Sequence, residues 1–188
     1  MTIEELFEIL LSSNPSKLIR DNEDIIFELI PELETCKGFE QHSSWHTYDV
    51  YEHTLHVVDG VEPDLVLRLT ALFHDLGKPL TFTLDEKGEG HFYGHYAKST
   101  EIFKRFAAKY HLDEELAKEV SKYIYYHDLN LTKLDEEQFN KIKMIFSDEE
   151  IKKLYQVKLS DLLAHSEAKH HLYPVIEDEL VRVLKKYE

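Results

Sequence analysis

Leu65-Val66-Leu67-Arg68-Leu69-Thr70-Ala71-Leu72-Phe73-His74-Asp75-Leu76-Gly77-Lys78-Pro79 is an apolar run that ends on two side chains able to bind cations. Its apolar residues occupy nearly every face of a 3.6-residue spiral, so it predicts a central, buried helix over about 64–75. Glu62-Pro63-Asp64 starts that helix: Pro63 fixes a backbone angle and Asp64 offers a carboxylate to free N–H groups. Gly77 and Pro79 stop it. Burying an ionised Asp75 there costs on the order of several kcal/mol unless it is paired or metal-bound. Imidazole nitrogen and carboxylate oxygen are both good ligands for divalent metals. Taken alone, Asp75-Leu76-Gly77-Lys78 also fits an ordinary polar helix end.

Outward from this run, almost every segment has helical periodicity. Helices are expected over about 3–11, 16–30 (ended by Pro31), 47–59, 95–110, 113–127, 135–146, 148–165 and 173–187, with an irregular stretch over 35–44. Asp113, Asp135, Ser147-Asp148 and Pro174 stand near helix starts. Residues 80–94 break the pattern. Thr81-Phe82-Thr83 and His91-Phe92-Tyr93 flank Asp85-Glu86-Lys87-Gly88-Glu89-Gly90, which fits either a short hairpin or an ordered loop. The expected fold is all-α: a compact bundle of seven to nine helices with one insertion, in which lead-in helices (1–40) pack on a main domain (41–188).

At 188 residues the chain is long enough to bury one sizeable core. Its apolar runs fall far short of the roughly 20 residues a membrane helix needs. The start, Met1-Thr2-Ile3-Glu4-Glu5, has no basic segment leading into an apolar stretch, which predicts a cytoplasmic protein. The single cysteine, Cys36, excludes an internal disulfide. Acidic residues number 37 against 22 basic ones, giving a net charge of −15. Such a surface repels polyanions, so tRNA, duplex DNA and long RNA are not expected as partners. A small phosphate ester remains compatible, because a local cationic site overrides the global field.

Twelve histidines are many for this background, and several fall where helices start or end. His53 lies in Tyr51-Glu52-His53-Thr54-Leu55, His95 follows Gly94, His127 ends Ile124-Tyr125-Tyr126-His127, and Asp161 sits in Leu159-Ser160-Asp161-Leu162-Leu163. A helical bundle can point such side chains into one pocket. The string His53 … His74-Asp75 … Asp161 resembles the metal-binding signature of the HD superfamily of phosphohydrolases. Tyr48-Asp49-Val50-Tyr51-Glu52-His53-Thr54-Leu55, followed by Leu67 to Pro79, is similar to the HD domain of bacterial CCA-adding tRNA nucleotidyltransferases. The lead-in residues Pro31-Glu32-Leu33 and Gln41 share the likeness, which is densest between 46 and 99. No Gly-Ser or Gly-Gly phosphate loop leads into paired acidic residues, so nucleotide addition is not expected.

The resemblance implies that His53, His74, Asp75 and Asp161 hold a divalent metal (Fe, Mn, Co, Ni, Zn or Mg). It assigns His95 and His127 to a second metal or to the substrate phosphate. The implied chemistry is hydrolysis of a phosphate ester, either a small nucleotide or a cyclic phosphodiester, with Asp75 and Lys78 as catalytic residues. A non-catalytic nucleotide-sensing or partner-docking module and an RNA-processing accessory are the alternatives. Arg68, two turns before Asp75, is a candidate substrate contact. His46 is another, because it shares a face with His53 if that helix begins early. His165, four residues past Asp161, and Trp45 are weaker candidates. His56 reads as adjacent to the site or exposed, and His170-His171 as a solvated loop.

Overall fold

The computed structural model describes residues 1–43 and 45–185. The helices are α1 (Ile3–Leu11), α2 (Pro15–Asp21), α3 (Glu23–Leu29), α4 (Pro31–Cys36), α5 (Val50–Gly60), α6 (Leu65–Phe73), α7 (Lys78–Thr81), α8 (His95–Lys109), α9 (Glu114–Tyr126), α10 (Glu136–Ile145), α11 (Asp148–Leu163) and α12 (Tyr173–Lys185). A 3₁₀ turn, Glu167–Leu172, joins α11 to α12. The insertion is a hairpin: β1 (Thr83–Leu84) pairs antiparallel with β2 (Gly90–His91), and Thr83 lies opposite His91. Among the described residues no helix is long and apolar enough to cross a membrane.

The all-α expectation holds, with α6 at the centre. Every residue of α6 from Val66 to Phe73 is buried, against α5, α9, α11, α1 and α8. Asp64 caps it as expected, accepting from the Leu67 N–H at 3.0 Å. Asp113, Asp135 and Ser147 cap α9, α10 and α11 in the same way.

The helices are shorter and more numerous than periodicity suggests. The expected 16–30 helix breaks at Asn22, whose side-chain amide donates to the Leu18 carbonyl at 2.9 Å and competes with the backbone ladder. Pro31 opens α4 as well as ending α3, because its missing N–H is no loss at the first helical position. The expected 47–59 helix starts only at Val50: Asp49 is extended and accepts from the Glu52 N–H at 2.7 Å. His46 therefore lies in the loop before α5 and not on its face.

Two glycines set the approach of α8 to the end of α6. A Cβ on Gly77 would stand 2.4 Å from the His95 carbonyl and 2.7 Å from the Ser99 nitrogen. The Gly77 N–H donates to Ser99 Oγ at 2.9 Å. Gly94 has φ +80°, a left-handed conformation that turns the chain into α8.

Candidate metal centre

The helix ends aim the site. The last carbonyls of a helix lack intrahelical partners, and two histidines use them. His74 and His127, at the ends of α6 and α9, fold back so that Nδ1 donates to Ala71 O and Ile124 O, each at 2.7 Å. His95 does the same to Phe92 O at 2.9 Å, and His53 reaches Ala164 O at 3.3 Å. A carbonyl only accepts, so Nδ1 carries a proton in all four rings. In the neutral rings Nε2 is then a bare lone pair.

These four Nε2 atoms converge on Asp75, which is 1% exposed. His53 and His74 face its Oδ2 at 3.4 and 3.2 Å. His95 and His127 face its Oδ1 at 3.3 and 3.7 Å. Asp161 Oδ1 closes the first group, 3.0 Å from His53 Nε2 and 3.9 Å from His74 Nε2. In the second group the His95 and His127 Nε2 atoms stand only 3.1 Å apart. Two lone pairs at that distance repel unless a proton or cation lies beside them.

The electrostatics fit a cation. Burial works against charge on Asp75, but His74, Lys78 and His127 prevail and hold its pKa well below the usual carboxylate range. Asp161 is held low against burial in the same way, by His165, His53 and Lys158. Burial also opposes charge on His74, yet Asp75 and Asp161 raise its pKa above the ordinary histidine value. Burial lowers His95 to about 4, with the Asp75 charge opposing. Among the described residues, buried His53 Nε2, His74 Nε2 and Asp75 Oδ2 have no hydrogen-bond partner. Lys78 Nζ does approach Asp75 Oδ2 to 2.7 Å, as an ion pair off the hydrogen-bonding direction. Two groups of potential ligands share Asp75: His53-His74-Asp75 and Asp75-His95-His127. Orphaned nitrogen and oxygen atoms of this kind are what a divalent metal would satisfy.

The site opens into a cavity of about 340 Å³ lined by Asp75, Lys78, His95, His127 and Asp161 among others. Lys78 is buried and also donates to Gln41 Oε1 at 2.7 Å, so its charge is largely committed. His46 reaches the cavity from its loop, its ring 4.5 Å from that of His165. Arg68 does not reach it. Its guanidinium donates to Glu62 O at 3.1 Å and Val58 O at 2.5 Å, tying the end of α5 to the start of α6. Arg68 stands two turns back along α6, so its side chain serves the other end of the helix. His56 is exposed and stacks on Tyr48. His170 and His171 lie in the 3₁₀ turn, bonded to backbone carbonyls. Sequence reasoning underrated His165, which lines the cavity with Nδ1 on Asp161 O at 2.6 Å; its spacing of four from Asp161 was the available signal. It missed Lys169, also in the cavity wall, for which no local pattern spoke.

Residues 45–186 match the HD domain family. Among curated relatives, the CC-adding tRNA nucleotidyltransferase of Thermus thermophilus is 37% identical over 53% of this chain and 24% of its own length. The A-adding tRNA nucleotidyltransferase of Deinococcus radiodurans is 35% identical over 39% of this chain and 18% of its own. The multifunctional CCA protein of Shewanella frigidimarina is 32% identical over 58% and 24%. The chain thus spans a quarter or less of the length of these relatives.

Proposed function

The chain belongs to the HD domain family, a superfamily of metal-dependent phosphohydrolases, and we propose that it hydrolyses a small nucleotide or cyclic phosphodiester at the Asp75 cluster. The observation that carries this reading is the convergence of four Nδ1-anchored histidines on the two oxygens of one buried carboxylate. In this proposal His53, His74, Asp75 and Asp161 hold one divalent metal, and His95 and His127 hold a second or the substrate phosphate. A metal bound there supplies an acidified water near neutral pH and polarises a phosphoryl oxygen.

The remaining work falls to the chain's own groups. The backbone carbonyls of Ala71, Phe92, Ile124 and Ala164 lock the ring tautomers. Asp75 is the carboxylate placed to receive the proton of the attacking water. Lys78 keeps Asp75 ionised and adds positive charge at the cavity wall. Residues 1–40 support the domain formed by 41–188, which carries every ligand named. A cytoplasmic location goes with this reading.

The test is a panel of 2′,3′-cyclic nucleotides, nucleoside monophosphates and a chromogenic diester, run on protein loaded with Mn, Fe, Co, Ni, Zn or Mg. Turnover that chelation abolishes and metal restores is expected. No turnover with any of these metals, at high protein concentration, would count against hydrolysis. A second reading, an RNA-processing accessory, is favoured by the tRNA nucleotidyltransferases among the relatives. The net charge of −15 opposes it.

A further inference from the structure

One wall of the cavity is not explained by metal binding. Lys169 lines it from the turn Glu167–Leu172. That turn is stitched to the loop before α5, because the Ser166 N–H donates to Trp45 O at 3.0 Å. The Lys169 ammonium stands 5.5 Å from the centre of the Trp45 ring, which is 46% exposed. Lys169 is itself partly buried, and among the described residues no carboxylate pairs with it. This is unusual in so acidic a chain. Lys78 pairs with Asp75, Lys122 with Glu150, Lys153 with Asp64 and Glu119, and Lys158 with Asp161. The Asp161 and Asp128 carboxylates act on Lys169 only from a distance, so an anion bound in the cavity would be its direct partner.

His46 shares that wall. Its Nδ1 is buried and has no hydrogen-bond partner among the described residues. An imidazole ring nitrogen there can donate a hydrogen bond to an anion in the cavity. His91 and Tyr93 also line the cavity and stack at 5.3 Å with planes 8° apart, and Tyr93 is 79% exposed. An aromatic face beside a phosphate site suits a nucleobase. The cavity volume also falls within the range of about 300–1,000 Å³ that small-ligand sites occupy.

We infer that Lys169 and His46 form a second anion subsite, so that the substrate is a nucleotide carrying at least one phosphoryl group beyond the one at the Asp75 cluster. The inference rests on the phosphohydrolase reading and narrows its substrate class. The charge-assisted contact from Lys169 supplies affinity for the second phosphoryl group, and His46 adds a hydrogen-bond donor.

The test is calorimetric titration of the metal-loaded full chain with 5′-AMP, 3′-AMP, ADP and adenosine 3′,5′-bisphosphate, with ligand integrity checked after each run. At least one of the two doubly phosphorylated ligands should bind about tenfold tighter than the better monophosphate. Lys169→Gln should remove most of that preference and Lys169→Arg should keep it, with melting temperatures confirming that both variants fold. The subsite is overturned if neither doubly phosphorylated ligand binds better than the monophosphates, or if the preference is unchanged in Lys169→Gln. If monophosphates bind, and lose binding in Asp75→Asn, while the second phosphate adds nothing, the subsite alone fails. If none of the four ligands binds the metal-loaded protein, the phosphohydrolase reading fails with it.

Discussion

Each oxygen of Asp75 faces a different pair of imidazoles, so one substitution reaches both halves of the cluster. Asp75→Asn keeps the volume and removes the charge. It is expected to lower metal content and to cut hydrolysis by at least the roughly 10–100-fold that loss of an outer-shell partner costs. Steady-state kinetics beside circular dichroism would check this; full activity in a folded variant would contradict it. Much of this cluster was legible in the sequence, because His74-Asp75 ends an apolar helix and the other ligand types sit at or near helix ends. Its detail was not. The tautomers depend on carbonyls of Ala71, Phe92, Ile124 and Ala164, and only the folded backbone places those. Arg68 was misread for a related reason: helical spacing gives distance along α6 but not which end a long side chain serves.

At the scale of elements, the α6 end and α8 meet at a close backbone approach beside the site. A methyl group on Gly77 would meet backbone at 2.4 Å, which cannot move aside as a side-chain tip can. Gly77→Ala is expected to destabilise the fold by about 1–3 kcal/mol, the range for overpacking, and to displace His95. Urea unfolding checks the first effect and metal stoichiometry the second. A stability within about 0.5 kcal/mol of the parent, as at an ordinary surface site, would contradict the close approach.

A second element contact depends on pH. Glu179 on α12 accepts the Leu134 N–H at 2.8 Å and pairs with Arg182 at 2.9 Å, and Arg182 in turn donates to Leu134 O at 2.8 Å. Arg182 holds the Glu179 pKa below its usual value, although burial opposes this. A carboxyl depressed in the folded state adds stability above its unfolded pKa of about 4.3 and loses it as pH falls through the folded value. Glu179→Gln should therefore cost about 1–2 kcal/mol at pH 7 and progressively less below about pH 4. Urea midpoints at the two pH values read the difference, and an equal loss at both would refute the linkage. Helix caps such as Asp64 and Asp135 were visible locally, whereas this contact joins residues 45 apart and has no local signature. The break at Asn22 was hidden because apolar periodicity runs straight through it.

Over the whole molecule, the charge of −15 sets what can approach. Binding of tRNA at physiological salt is expected to be undetectable by gel shift, because the chain repels polyanions at long range. Affinity in the micromolar range or tighter would favour the RNA reading. The core is one apolar mass around α6, so Leu72→Ala should cost about 2–5 kcal/mol in chemical denaturation. The all-α class followed from periodicity, while the convergence of five helices on one site is a property of the packed bundle. The most direct measurement of the central claim is elemental analysis of purified, reconstituted protein beside Asp75→Asn. The account predicts one or two divalent metal ions per chain in the parent and substantially fewer in the variant. A folded parent that retains no metal after reconstitution, or a variant that retains as much as the parent, would contradict it.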